Sequence, residues 1–234
     1  MDFSNALSQL STVQKPARGI SVYSRFVNRP AGRLLAATAH RIGLSPNQVT
    51  AASALITMVA IMAIALHPPS YATGRWVALA LLLGYALDSA DGQLARLNGS
   101  VSMRGEWVDH VTDCAKLLAL HTAVLITLYR FHDLPSPALL FIPITFQFAS
   151  VVFFFAGILT EQLKKQQAGV RILPVRPPCT IRAIAMLPVD YGVLCLTFLF
   201  LGNWMVFFVL YIALLAAHVV LIPAFLAKWC RELS

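Results

Sequence analysis

Six long apolar stretches leave this chain few folds to choose from. They run near 48–66, 76–97, 105–129, 137–162, 179–201 and 203–228. A helix needs about 20 apolar residues to cross a bilayer, and each stretch is close to that length or longer. The expected fold is therefore all-α: a polytopic membrane protein of six transmembrane helices. Charge content agrees, because only 12% of the residues are charged, about half of what a soluble domain carries. With 234 residues, there is no room for a separate soluble catalytic domain. Any chemistry must sit on the helices and their short loops.

The chain divides into three parts. Residues 1–18 are polar, rich in Ser and Gln, and expected to be poorly ordered. In 19–42, Arg25, Arg29 and Arg33 recur every four residues, with Val22, Phe26, Leu34 and Leu35 elsewhere on the wheel. That pattern predicts an amphipathic juxtamembrane helix lying on an anionic lipid surface, with a break or kink at Pro30. Residues 43–234 hold the six spans. The shortest connection is the turn at Leu201-Gly202-Asn203, where a five-span layout stays open. Placing the N-terminus in the cytoplasm puts fifteen of the 18 Lys and Arg on the inner side, leaving Arg75 and Arg130 outside and Lys116 within a span. This asymmetry sets the orientation. It also accounts for the net charge of +8 without a nucleic-acid partner. The expected location is the cytoplasmic membrane, with membrane lipids as neighbours. The N-terminus lacks the pattern of a cleavable signal peptide. The four cysteines form no Cys-x-x-Cys pair, so neither a disulfide framework nor a zinc site is expected.

Four of the ten acidic residues lie inside or at the ends of these spans: Asp88, Asp91, Asp109 and Asp113. Carboxylates at membrane depth are costly and point to function. Asp88, Asp91, Gly92, Ala95 and Arg96 fall at i, i+3, i+4, i+7 and i+8, which is one face of a helix. Gly105, Asp109 and Asp113 fall at i, i+4 and i+8, again one face. The loop Leu97–Arg104 is short, so the two helices are expected to run antiparallel as neighbours with their carboxylates converging. Four like charges in a low dielectric need a cation. An oxygen-only ligand set suits Mg²⁺ or Mn²⁺, one ion or two. Gly92, Ala95 and Gly105 remove bulk beside the carboxylates, either for close helix packing or to admit a flat base and its phosphates. Arg96 is either a cytoplasmic anchor or a fork for phosphate oxygens.

The string Asp88-x-x-Asp91-Gly92-x-x-Ala95-Arg96, an eight-residue gap, then Gly105-x-x-x-Asp109-x-x-x-Asp113 resembles the signature of the CDP-alcohol phosphotransferase (CDP-alcohol phosphatidyltransferase) family at every fixed position. The resemblance implies that Asp88, Asp91 and Asp109 bind metal. It implies that Asp113 is the general base and a possible ligand to a second metal, and that Gly92, Ala95 and Arg96 line the CDP site. Pro46-Asn47-x-x-Thr50 is similar to a segment that contacts the nucleotide in that family, which assigns Asn47 and Thr50 to the same site. It is also a good helix start, with Ser45 or Asn47 as cap. A homodimer is implied too. One departure concerns the residue after Asp113. Many relatives carry a basic residue there; this chain has Cys114, with Lys116 on nearly the same face as Asp113.

The implied reaction moves a phosphoalcohol group from a CDP-alcohol, with CDP-diacylglycerol the expected donor, to an acceptor hydroxyl, and releases CMP. The basic 163–182 region has two readings. Its charges only set topology, or Arg176 and Arg182 hold a phosphate on the acceptor. Two other functions use intramembrane carboxylates. A prenyltransferase needs a second aspartate cluster, and the later spans offer only Asp190. A divalent-cation transporter leaves Gly92, Ala95 and Arg96 unexplained. Phe153-Phe154-Phe155 is expected to face lipid, and the six histidines to be structural or interfacial.

Overall fold

The computed structural model describes residues 3–12, 20–168 and 180–233, and these are helical with no strands among them. The N-terminal part is α1 (Phe3–Thr12) and α2 (Arg29–Arg41). Then come α3 (Pro46–Leu66), α4 (Tyr71–Leu97), α5 (Met103–Phe131) and α6 (Phe141–Ala168). The short helices α7 (Thr180–Ala185) and α8 (Tyr191–Thr197) precede α9 (Trp204–Leu233).

Serine side chains start the spans. Ser45 caps α3 through the Gln48 amide at 3.3 Å, Gln48 reaches back to the Ser45 amide at 2.8 Å, and Pro46 fills the first turn. That reciprocal box satisfies two backbone donors that would otherwise lack partners. Of the two expected caps, Ser45 is the one used. Ser70 and Ser102 cap α4 and α5 through the Thr73 and Gly105 amides, each at 3.1 Å. At the other ends, Gly43 and Gly99 take positive φ (76° and 62°) just after α2 and α4, a conformation that a Cβ disfavours.

Among the described residues, four helices are long and apolar enough to cross a membrane: Pro46–Leu66, Met103–Phe131, Pro137–Gln166 and Trp204–Leu233. The fifth expected span is broken. Ala183–Val189 and Tyr191–Phe200 meet at 51°, because Asp190 takes extended backbone between them and its carboxylate caps α8. The expected count of six is thus not reached on length and apolarity. The remaining segment, α4, is 27 residues long, but Arg75, Asp88, Asp91 and Arg96 make it too polar.

The helices close into a ring. α3 packs on α4 and α5, α4 on α8, α8 on α9, α9 on α6, and α6 on α5. One half of the ring is plugged by apolar side chains, including Ile64, Val77, Leu81, Leu120, Leu128, Phe198 and Phe207. Lipid tails are as apolar as leucine, so packing and interhelical hydrogen bonds hold such a ring together. Ser53 donates to the Gly84 carbonyl at 2.8 Å, and His121 meets Tyr211 at 2.6 Å and Ser150 at 3.2 Å. A Cβ on Gly84 would fall 2.1 Å from Thr57 Oγ1, so this glycine sets how closely α3 and α4 cross. The other half of the ring is hollow, with a cavity of about 600 Å³.

The N-terminal part departs from expectation in two ways. Residues 3–12 are helical, where a poorly ordered segment was expected, and bury Ala6 and Leu10 in a small cluster with Ala36, Ala37 and Leu94. Pro30 breaks nothing: a π-helical turn, Ser24–Asn28, runs directly into α2, and Pro30 lies in its first turn. The wide turn lies where the missing proline N–H would disturb a continuous α-helix. In the amphipathic helix Phe26, Val27 and Leu34 are exposed, Arg25, Arg29 and Arg33 are half-buried, and Arg29 lines the cavity.

Candidate active site

α4 and α5 do not lean closely on each other as expected from their short loop; each packs on α3 instead. The stripes therefore face one another across a gap with α3 as its floor. Asp88, Asp109 and Asp113 converge there, each offering an oxygen such that all three lie within 4.8 Å of one another. Hard divalent cations take ligand sets of this kind. Asp91 stands outside the trio. It is 5% exposed, and its Oδ2 accepts a hydrogen bond from Thr50 Oγ1 at 2.5 Å, so Thr50 orients this carboxylate.

Lys116 is built into the same gap. Its Nζ donates to Asp88 Oδ1 at 2.5 Å, to Asp113 Oδ1 at 3.1 Å and to Ser53 Oγ on α3 at 3.1 Å. An ammonium has three donors, and all three are used. Only 5% of this side chain is exposed. Spacing alone hinted at the Asp113 contact; the bridge to Asp88 and the anchor on Ser53 depend on how three helices meet.

The glycines separate the two readings of the small-residue stripe. A Cβ on Gly92 would meet only the Arg96 guanidinium, at 3.5 Å. Among the described residues no neighbouring helix needs a glycine there, unlike at Gly84, so their packing does not explain it. On Gly105 a Cβ would lie 3.1 Å from Ser102 Oγ and 3.9 Å from Asn47 Oδ1. The α3 and α5 N-termini thus flank one mouth of the gap, with half-buried Ala95 and Arg96 on α4. Burial first, then repulsion from Arg96, pulls the Arg29 guanidinium below its ordinary value. His110 lies between Glu106 and Asp109, 3.8 and 4.0 Å from their oxygens. Arg176 lies outside the described residues; Arg182 belongs to α7, and its side chain is likewise outside them.

The profile of the CDP-alcohol phosphatidyltransferase family matches residues 43–223. The chain belongs to that family. Its members transfer phosphatidyl-type groups from a CDP-alcohol to an acceptor hydroxyl, and the matched segment begins just before α3 and ends within α9. It thus contains every residue of the gap. A comparison with curated proteins found no match.

The cavity on the other side of Asp88 and Asp113 was not foreseen. Tyr85, Lys116, Arg29 and Asp190 line its polar end, and Phe153, Phe154, Ile158 and Trp229 its apolar end. Two of the three phenylalanines expected to face lipid therefore face inward; Phe155, at 63% exposure, faces out. A signal for Asp190 did exist, as the one carboxylate in the later spans.

Proposed function

We propose that this chain is a metal-dependent transferase of phospholipid biosynthesis that moves a phosphatidyl group from CDP-diacylglycerol to an acceptor hydroxyl and releases CMP. The observation that carries this is the convergence of Asp88, Asp109 and Asp113 across the gap between α4 and α5, beside a glycine that no packing among the described residues requires. Asp88, Asp109 and Asp113 would hold Mg²⁺ or Mn²⁺, with Asp91 joining through its second oxygen. Bound there, the ion neutralises negative charge on the diphosphate.

The chain's own residues do the rest. Arg96 and Arg29 offer guanidinium forks to phosphate oxygens. Gly92 and Gly105 leave space for the cytidine against the backbone, with Asn47 at the rim. Thr50 fixes Asp91, and Lys116 fixes Asp88 and Asp113. Asp113 keeps an oxygen to take the proton of the incoming hydroxyl. That hydroxyl oxygen bonds to the phosphorus bearing the lipid, and the bond from phosphorus to the CMP oxygen breaks. CMP leaves with the electron pair. A site near the cytoplasmic face lets acyl chains stay in the bilayer while CMP departs to water.

Purified protein in proteoliposomes is expected to release CMP from CDP-diacylglycerol only with a divalent cation and an acceptor alcohol. Asp113→Asn is expected to lower turnover more than it weakens donor binding. Full turnover in EDTA overturns the metal, and no CMP under any condition overturns the transfer. The orientation has its own check. In a cysteine-free background, Tyr71→Cys is expected to react with an impermeant maleimide in intact cells and Gln166→Cys only after permeabilisation. The reverse pattern turns the protein over. A homodimer is expected as well, and crosslinking in native membranes reads it.

A further inference from the structure

The carboxylates of the gap can serve one divalent ion or two, and Lys116 limits the choice. Paired-ion sites hold their ions about 3.5–4 Å apart, on carboxylates that both ions share. Here the bridge between Asp88 on α4 and Asp113 on α5 is already made. The Lys116 Nζ donates to Asp88 Oδ1 at 2.5 Å and to Asp113 Oδ1 at 3.1 Å. It links a carboxylate on each helix, as the second ion of a pair would.

The ammonium is held there by more than its charge. Its third donor goes to Ser53 Oγ at 3.1 Å. Ser53 is fully buried, and its own proton is committed to the Gly84 carbonyl at 2.8 Å. The serine oxygen therefore turns a lone pair to Lys116 and cannot rotate without giving up the Gly84 bond. Gly84 stands where α3 and α4 cross, with Thr57 Oγ1 only 2.1 Å from the place its Cβ would take. The third acceptor is thus fixed by helix packing, independently of the carboxylates. Only 5% of the Lys116 side chain is exposed, so an ammonium that left its three partners would remain buried and unpaired, which is costly. A divalent ion that bridged Asp88 and Asp113 would need the oxygens that Lys116 holds, and it would stand beside a like charge in a low dielectric. A permanent ammonium also suits Asp113 as the base, because it claims one carboxylate oxygen and leaves the second to face the incoming hydroxyl.

Resting on the transferase reading above, we propose that Lys116 is the second cation of this site: the gap takes a single divalent ion, and the Lys116 ammonium occupies the bridging place of another. Being covalently attached, this cation needs no supply from solution and cannot leave with CMP.

The test counts ions. Full-length protein is purified in detergent, stripped with EDTA and dialysed against Mn²⁺, with and without CMP. Elemental analysis gives the ion content. Electron paramagnetic resonance reports pairing, because ions about 3.5–4 Å apart broaden each other's spectrum and lose the resolved hyperfine lines of an isolated ion. The wild type is expected to hold one Mn²⁺ per chain, with resolved hyperfine lines, in both conditions. Lys116→Met is expected to hold two, with a broadened spectrum, a doubling that a merely structural lysine would not produce. Where Lys116→Met folds only with metal present, it is kept in Mn²⁺ throughout and its ion content is read as isolated. A coupled pair of ions in the wild type overturns the proposal and leaves the transferase reading standing. So does a single isolated ion, or none, in Lys116→Met beside one ion in the wild type, since the lysine would then exclude nothing. No bound Mn²⁺ in either chain overturns the metal-dependent reading itself, and this proposal with it.

Discussion

Asp109→Asn is expected to abolish transfer while leaving the metal-free protein no less stable than the wild type. The two effects separate because of where the positive charge sits. Lys116 bonds to Asp88 and Asp113 but not to Asp109, so neutralising Asp109 removes repulsion without stranding the ammonium. Transfer needs the oxygen that Asp109 contributes to the trio, and its loss is expected to lower kcat/KM by roughly 10³-fold or more. Melting curves in detergent give a readout independent of activity. A ligand that binds only the folded state at a hundred-fold excess over its Kd stabilises by about 2.7 kcal/mol. The wild type is expected to show a Mn²⁺-dependent rise in Tm that Asp109→Asn lacks. An undiminished Mn²⁺ shift in the variant would remove Asp109 from the metal site.

Much of this site was legible because a helix turns spacing into geometry. Asp88, Asp91 and Arg96 share a face by periodicity alone, as do Gly105, Asp109 and Asp113, and burial of carboxylates in apolar runs made them conspicuous. Periodicity is silent on which helices touch. It placed α4 beside α5, but α3 lies against both, and that is why Ser53 and Thr50 became second anchors for Lys116 and Asp91. The same blindness hid the cavity wall of Ser21, Ser24, Tyr85 and Asp190, whose hydrogen bonds join residues up to 169 positions apart. Arg25, Arg29 and Arg33 were read as one face, and Arg29 of that face lines the cavity. An arginine stripe is equally suited to anionic lipid and to an anionic substrate, and only the neighbours choose. The broken fifth span was hidden for a related reason: Asp190 looked like one polar residue in an apolar run, whereas its bonds to the N-terminal segment and to the Gly192 amide hold the chain open at that point.

Lys116→Met is the substitution expected to damage the protein most in the absence of metal. The side chain is almost fully enclosed and bonded to acceptors on α3, on α4 and on its own helix α5. Methionine keeps the volume and removes the charge. Asp88 and Asp113 then face each other, and Asp109, with no cation between them. Removing one partner of a buried ion pair costs about 3–5 kcal/mol, because the remaining charge keeps its desolvation penalty. A divalent cation relieves the same repulsion, so the variant is expected to melt well below the wild type in EDTA and to recover much of the difference in Mn²⁺. Its metal-induced shift should exceed that of the wild type. Lys116→Arg does not substitute: a planar fork cannot reach Ser53, Asp88 and Asp113 as one tetrahedral ammonium does. Activity is expected to fall even with metal restored, since Asp113 loses the contact that orients it toward the incoming hydroxyl. A variant with wild-type melting in EDTA and an unaltered Mn²⁺ shift would mean that Lys116 merely fills space, and the four carboxylates would then need another source of balance.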